Sequence, residues 1–292
     1  MKDPFVLGTI LAHPDDETFG VGGTLIKYAD EGVRVHSLCL TQGDQGWMGD
    51  PERPIVTRER LGAMRAAELA ESGRRMGLAS TTCLTYPDGA LAGVSGDEVV
   101  RDIVRWLRRV RPDVVITWGP DGGYGHPDHV AAGERALKAI ELAGIQRHEP
   151  ALGAHWHVRR CYRFVAAADF VDGIREINKQ FANYMETLAV KPERWTRDRL
   201  GAAIDIREVV ERKIDAMKAH ATQEPDYREW IASREKIPWL FSEEVFIREF
   251  PDAGGPPLET DLFGALRGMS PGSLAKRALR RGVAGGTPPA RN

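Results

Sequence analysis

Two short runs hold most of the side chains in this chain that could do chemistry: Ala12-His13-Pro14-Asp15-Asp16-Glu17, and, more than a hundred residues later, Gly125-His126-Pro127-Asp128-His129. A catalytic zinc ion usually takes three nitrogen or oxygen ligands from the protein and leaves a fourth position to water. His13 and Asp16 stand three residues apart at a strand-to-helix turn, close enough to share one ion. One histidine of the second run completes the set. His129 is the better placed, a turn into the following helix and able to point back. Asp15 is then left over beside a ligand, where a carboxylate serves as general base and returns its proton to a leaving amine. His126 is placed to meet a developing oxyanion, with Asp128 fixing its tautomer and favouring its charged form. Tyr124 can add a hydrogen bond to the same oxygen. Together these groups suit hydrolysis of an amide by metal-activated water.

The elements around the runs bring them together. Residues 5–12 are a continuous apolar stretch, as expected of a strand buried on both faces. Apolar residues at helical spacing follow over 19–30 and stop at Glu31-Gly32. Further strands are predicted at 33–40, 81–86 and 114–118. Helices are predicted at 57–76 (Thr57 as N-cap, Gly77 as stop), 97–110 and 127–142. Residues 41–56 form a loop rich in Gly and Pro. This alternation predicts an α/β fold built on a doubly wound, mostly parallel, Rossmann-like sheet. In such sheets ligands bind at the carboxyl ends of the strands, and both His-Pro-Asp loops fall there. Residues 1–150 read as the catalytic core and 151–265 as a smaller mixed part that caps the crevice. That part has strands at 160–166, 202–206 and 243–250 and helices at 174–188 and 207–221. Residues 266–292 are expected to be a mobile basic tail.

Composition narrows the function classes. The chain has 292 residues, 42% hydrophobic and 28% charged, with a net charge of −2. It is therefore an ordinary globule with no electrostatic reason to bind nucleic acid or an anionic membrane. No apolar run reaches the roughly 20 residues of a membrane span. Met1-Lys2-Asp3-Pro4 leads straight into a strand with no room for a signal peptide. The separated Cys39, Cys83 and Cys161 read as small buried hydrophobes rather than a disulfide or thiolate site. The expected compartment is the cytoplasm, and a homo-oligomer is allowed.

The two runs, together with Lys218-Ala219-His220-Ala221-Thr222-Gln223, resemble the LmbE/PIG-L family of zinc-dependent N-acetylglucosaminyl deacetylases, over roughly residues 5–265. The resemblance implies Zn2+, or another divalent ion such as Fe2+, on His13, Asp16 and His129. It implies Asp15 as base, His126 as oxyanion partner with Asp128 beside it, and Tyr124 near the substrate carbonyl. The implied partner is a small acylated amino sugar or its conjugate. An amidase acting on a larger thiol conjugate or natural-product amide is the alternative within enzymes, and a sugar- or nucleotide-binding module the alternative outside them. The module has no use for a free carboxylate beside metal ligands, and the first loop lacks Gly-x-Gly-x-x-Gly.

Four further residues are candidate substrate contacts. Arg58 opens the helix after the loop and can reach a sugar hydroxyl, although an arginine in a first turn is ordinarily solvated. Trp47, in a glycine-rich loop, is a sugar-stacking platform or a loop anchor. Asp88 is a turn residue first and a substrate contact second. His220 is read as a buried histidine that the resemblance promotes to the pocket wall. His155 and His157 are structural.

Overall fold

In the computed structural model, which describes residues 4–46, 56–251 and 258–268, all the side chains of β1 (Val6–Leu11) and β4 (Val114–Trp118) are buried. Covered on both faces, each can be apolar throughout, whereas a half-exposed strand would alternate. Between them run the short α1 (Asp16–Phe19), α2 (Gly22–Asp30), β2 (Arg34–Thr41), α3 (Arg58–Met76), β3 (Ser80–Tyr86) and α4 (Gly96–Val110). The second motif spans the short α5 (Gly122–Gly125) and the start of α6 (Pro127–Ala143). Later elements are β5 (Arg160–Phe164), α7 (Ala168–Ile177), α8 (Lys179–Thr187), β6 (Ala202–Asp205), α9 (Val210–Met217), α10 (Glu224–Ala232) and β7 (Glu243–Phe250).

The seven strands form one sheet in the order β3-β2-β1-β4-β5-β7-β6. Strands β1 to β5 are mutually parallel, and β7 runs antiparallel to both of its neighbours. The winding reverses between β1 and β4, and at such a switch point the loops diverge and leave a crevice. The two motifs follow those two strands. The strands of residues 151–265 extend this same sheet, so the α/β fold is continuous from end to end.

Packing follows the sequence closely near the site. Thr57 caps α3 by accepting from the Arg60 N–H at 3.3 Å, and Gly77 ends it at φ 79°. Leu7, Ile10, Leu25, Leu38, Ile103, Leu107, Val115, Ile116 and Phe246 belong to one buried cluster that spans both halves of the chain. A second cluster, including Ile174, Met185, Ile214, Met217, Tyr227, Trp230 and Phe241, joins α7 to α10, with Phe19 and Tyr124 packed against it.

Three features depart from the expectations. The single helix over 174–188 is two helices, broken at Asn178, whose side chain leaves the helical backbone to cap the Phe181 N–H at 2.8 Å. The helix over 207–221 is shorter, with α-helical turns only over Val210–Met217. Helix α10 was not anticipated, because its text mixes Pro225 with charged residues; Pro225 fits there because it sits in the first turn. Trp47 and residues 269–292 lie outside the described residues.

Candidate active site

The loop after β1 turns sharply to place His13, Asp15 and Asp16. Asp16 begins α1 and folds back on the strand end. Its Oδ2 accepts from the Ala12 and His13 N–H groups at 3.0 and 2.9 Å and from Trp118 Nε1 at 3.2 Å. The loop after β4 is shaped by glycine. Gly122 has φ 62°, and a Cβ there would stand 2.9 Å from the His129 Cβ. Gly125 has φ 99°, and a Cβ would overlap the Val190 carbonyl at 2.1 Å. These positions let α6 start where His129 faces the first loop.

His13 Nδ1 lies 3.0 Å from His129 Nε2. Asp16 joins them, with Oδ1 3.3 Å from His129 Nε2 and Oδ2 3.9 Å from His13 Nδ1. The other nitrogen of each ring is occupied. His129 Nδ1 donates to the Gly122 carbonyl at 3.0 Å. His13 Nε2 faces Asp88 Oδ1 at 3.1 Å and Asp128 Oδ2 at 3.4 Å. Those partners fix the ring orientations and turn His13 Nδ1 and His129 Nε2 toward each other. Two such nitrogens beside a carboxylate form a donor set of the kind that zinc or ferrous iron accepts, an ion taking the place of the proton between the rings. The ring of Trp118 stacks on His129 at 3.9 Å between centroids and fixes its plane.

The electrostatics follow from this crowding. Burial depresses the His13 imidazolium, but the hydrogen bonds to Asp128 and Asp88 and the charge of Asp16 outweigh it and lift the pKa to about 10. Burial would raise Asp16, but His129 and His13 hold it well below the usual carboxylate range. Asp15 goes the other way: burial, opposed by Arg65 and aided by Asp16, pushes its carboxyl up to about 7. That is the range of a base that works near neutrality. His126 is driven down to about 2 by burial and by the neighbouring His129 and His13.

His126 nonetheless belongs to the cluster: His13, His126 and His129 each offer a nitrogen within 4.8 Å of the others. Tyr124 packs edge-on against His129 and His126, at 5.0 and 5.9 Å between centroids. Asp128 departs from its expected role. Its carboxylate accepts from the Gly89 and Leu91 N–H groups at 2.7 and 2.9 Å and faces His13. It meets His126 only through its own backbone N–H, which donates to His126 Nδ1 at 3.2 Å. The reason is its position in the first turn of α6, where its side chain turns toward the chain after β3. His126 is accordingly a neutral imidazole with its proton on Nε2, not a cation paired with Asp128.

The four candidate substrate contacts separate. Asp88 joins the cluster through His13 and is held by the Gln45 N–H at 2.7 Å. Arg58 lies away from it, exposed and paired with Asp44 at 3.0 Å. His220 is 0% exposed and its Nε2 meets Glu17 Oε1 at 2.7 Å, so it sits behind the wall of the crevice instead of on it. Trp47 lies outside the described residues.

Three residues that the motifs did not reveal complete the site. Arg65, 3% exposed, donates from one terminal nitrogen to Asp15 Oδ2 at 2.8 Å and to the Pro14 carbonyl at 2.6 Å, and from the other to the Gly43 carbonyl at 2.6 Å. Its signal was available: Leu61, Arg65, Leu69 and Met76 share the buried stripe of α3, where an arginine needs fixed acceptors. Glu17 was quoted within the first motif without a role, and Trp118 read only as the end of a strand.

Comparison with known proteins gives this arrangement a lineage. Residues 9–140 match the family described as GlcNAc-PI de-N-acetylase, PIG-L. A 1D-myo-inositol 2-acetamido-2-deoxy-alpha-D-glucopyranoside deacetylase of Rhodococcus erythropolis is 32% identical, over 87% of this chain and 95% of its own. Its Streptomyces avermitilis counterpart is 33% identical, over 86% and 94%. Among solved structures, the N,N'-diacetylchitobiose deacetylase of Pyrococcus horikoshii superposes with a TM-score of 0.64 at 23% identity, over 85% and 84% of the chains. The 4-carboxy-2-hydroxymuconate hydratase GalB of Pseudomonas putida KT2440 reaches 0.62 at 18%, over 86% and 99%. A shared fold at such identities therefore does not fix the reaction. The chain belongs to the PIG-L de-N-acetylase family. No helix among the described residues is long and apolar enough to cross a membrane.

Proposed function

We propose that this protein is a metal-dependent hydrolase that removes an N-acyl group, acetyl in the first instance, from an amino sugar or its conjugate. The observation that carries the reading is Asp15, a partly buried carboxylate whose pKa is pushed up to about 7, beside two imidazoles whose nitrogens face one another at 3.0 Å. A binding module needs neither. The curated relatives from Rhodococcus and Streptomyces, named for an acetylated glucosaminyl-inositol, support a substrate of that class.

His13, Asp16 and His129 would hold the ion, zinc or another divalent such as Fe2+. Once bound, it supplies Lewis acidity that makes water nucleophilic near neutrality and polarises the amide carbonyl. Asp15 takes the proton of the attacking water as the new C–O bond forms, with Arg65 holding its carboxylate in place. The neutral His126 donates from Nε2 toward the developing oxyanion, and Tyr124 borders the same space. Asp15 then gives its proton to the amine nitrogen as the C–N bond breaks, releasing a carboxylic acid and an amine, whose remaining proton passes from acid to amine to leave carboxylate and ammonium. On this reading Asp88 also meets a sugar hydroxyl. His13 also touches Asp88, so substrate position and ion geometry are linked.

Residues 1–150 supply the reacting groups on this reading, and 151–265 complete the sheet and cover the crevice through α7 to α10. We place the reaction in the cytoplasm, where the three free cysteines suit a reducing environment. The test is an amine-release screen of N-acetylated amino sugars and their inositol or thiol conjugates, with and without chelator. Chelator-sensitive release from an N-acetyl amino sugar is expected. Release only from larger amides would move the substrate to that class, and no release from any of them would overturn the reading.

A further inference from the structure

Asp15 is one of three non-glycine residues with a positive φ among the described residues, at φ 126° and ψ −30°. A side chain is strained in that region, and the conformation persists only where its surroundings impose it. The benefit is orientation. Asp15 stands at the N-cap position of α1, where an aspartate ordinarily turns its carboxylate onto the helix, yet it makes no such bond. Its carbonyl accepts from the Thr18 and Phe19 N–H groups at 2.9 and 3.0 Å, and its carboxylate is left to face Arg65 and the crevice.

The Asp15 N–H donates to Glu17 Oε2 at 2.9 Å, across the turn. Glu17 is 1% exposed, and its Oε1 accepts from Ser72 Oγ and meets His220 Nε2 at 2.7 Å. His220 in turn is set by its neighbours. Thr222 is tied to Glu68 through its N–H at 2.9 Å and its hydroxyl at 2.7 Å, and the Phe19 ring lies edge-on to His220. Arg65, Glu68 and Ser72 all project from one face of α3, so a single helix grips Asp15, Glu17 and the His220 segment together. A buried carboxylate without counter-charge would be costly, and a histidine is the partner that can supply charge and a directed N–H at once.

We propose that Glu17 and His220 form a buried positioning pair that holds the backbone of Asp15 in its strained turn and thereby aims the general base. This rests on Asp15 being that base. Neither member of the pair touches the reacting atoms. The pair also accounts for a link of 203 residues between the first motif and the chain after α9: residues 151–265 reach the chemistry through the base they hold.

The experiment compares Glu17→Gln, His220→Ala and His220→Gln with the parent protein in two measurements, so that a variant too damaged to fold does not end the test. The first is hydrogen–deuterium exchange of the peptide covering residues 11–20 in the metal-loaded protein. The second is kcat and KM for an N-acetyl amino sugar, with bound metal determined on the same samples. Faster exchange confined to that peptide is expected in Glu17→Gln and His220→Ala, with metal content unchanged. A fall in kcat of at least about tenfold is expected, as misplacement of a catalytic group produces, with KM within about twofold. His220→Gln, whose amide can still donate to Glu17, should recover part of both. Unchanged exchange at 11–20, or metal lost in step with activity, would overturn the proposal. If no amino sugar is turned over, the exchange measurement still decides whether the pair holds the turn, separately from the assignment of the reaction.

Discussion

Nδ1 of His13 and Nε2 of His129 stand 3.0 Å apart, and each ring gives its other nitrogen to a fixed partner: Asp88 and Asp128 for His13, the Gly122 carbonyl for His129. Held face to face beside the Asp16 carboxylate, these two nitrogens share a proton or, with that proton displaced, a divalent ion. The fold imposes this geometry by seating one ring after β1 and the other after β4, at the reversal of winding.

The first prediction concerns that cation. Stripping metal with a chelator should abolish amine release and lower the melting temperature. Adding back a divalent ion at about a hundred times its Kd should restore about 2.7 kcal/mol of stability, by mass action. His129→Ala should lose the ion and show no such stabilisation. Calorimetry with and without added zinc reads both, and an equal response in His129→Ala would place the ion elsewhere.

Trp118 is expected to tune the site without touching substrate. Its Nε1 donates to Asp16 Oδ2 at 3.2 Å while its ring stacks on His129. Trp118→Phe keeps the stack and loses the hydrogen bond, so metal affinity should fall about 10- to 100-fold, as loss of an outer partner of a ligand usually does. Titration with a competing chelator measures it, and unchanged affinity would mean that the two backbone N–H groups alone orient Asp16.

The pH dependence follows from the sign of the Asp15 shift. Burial places this carboxyl near 7, and the base acts only when ionised. Activity should therefore be retained above that point and fall about tenfold per unit as pH drops below it. Arg65 favours the ionised form, so Arg65→Met should move the acidic limb of kcat/KM to higher pH. A limb that stays in place, or moves to lower pH, would show that Arg65 does not act on the base.

Stability gives an independent test of how the two halves are joined. Helix α2 begins at Gly22 without a side-chain cap of its own. Glu244 of β7 supplies one, accepting from the Gly23 and Thr24 N–H groups at 2.9 and 2.7 Å and from Lys213 Nζ at 2.7 Å, and both charged residues are almost wholly buried. Glu244→Leu leaves the Lys213 ammonium in the interior without counter-charge and two helix donors unpaired. It should cost about 3–5 kcal/mol in urea unfolding. Lys213→Met should cost less, because Glu244 keeps both backbone donors.

The legible parts of this molecule were those where chemistry restricts residue type. Metal ligation and proton transfer admit few side chains, so His13, Asp15, Asp16, His126 and His129 stood out from their spacing, and buried parallel strands announced themselves by unbroken apolar text. What the motifs hid was support. Arg65 looks like any arginine of an amphipathic helix until its stripe is counted. Glu17 was overshadowed by the two aspartates beside it. The partners of Asp128 could not be foreseen, because the Gly89 and Leu91 N–H groups come from a turn after β3 whose path is set by tertiary packing. The antiparallel placement of β7 between β5 and β6 is likewise a matter of pairing, which the text of a single strand does not encode.

The most direct test of the account is the turnover of Asp15→Asn measured together with its bound metal. The substitution keeps the size of the side chain and removes only its capacity to take a proton. The account predicts a full complement of divalent ion and amine release lowered by about 10²- to 10⁴-fold, the range that general-base catalysis supplies. A variant that retains both its metal and more than about a tenth of its activity would contradict it, because the base would then lie elsewhere.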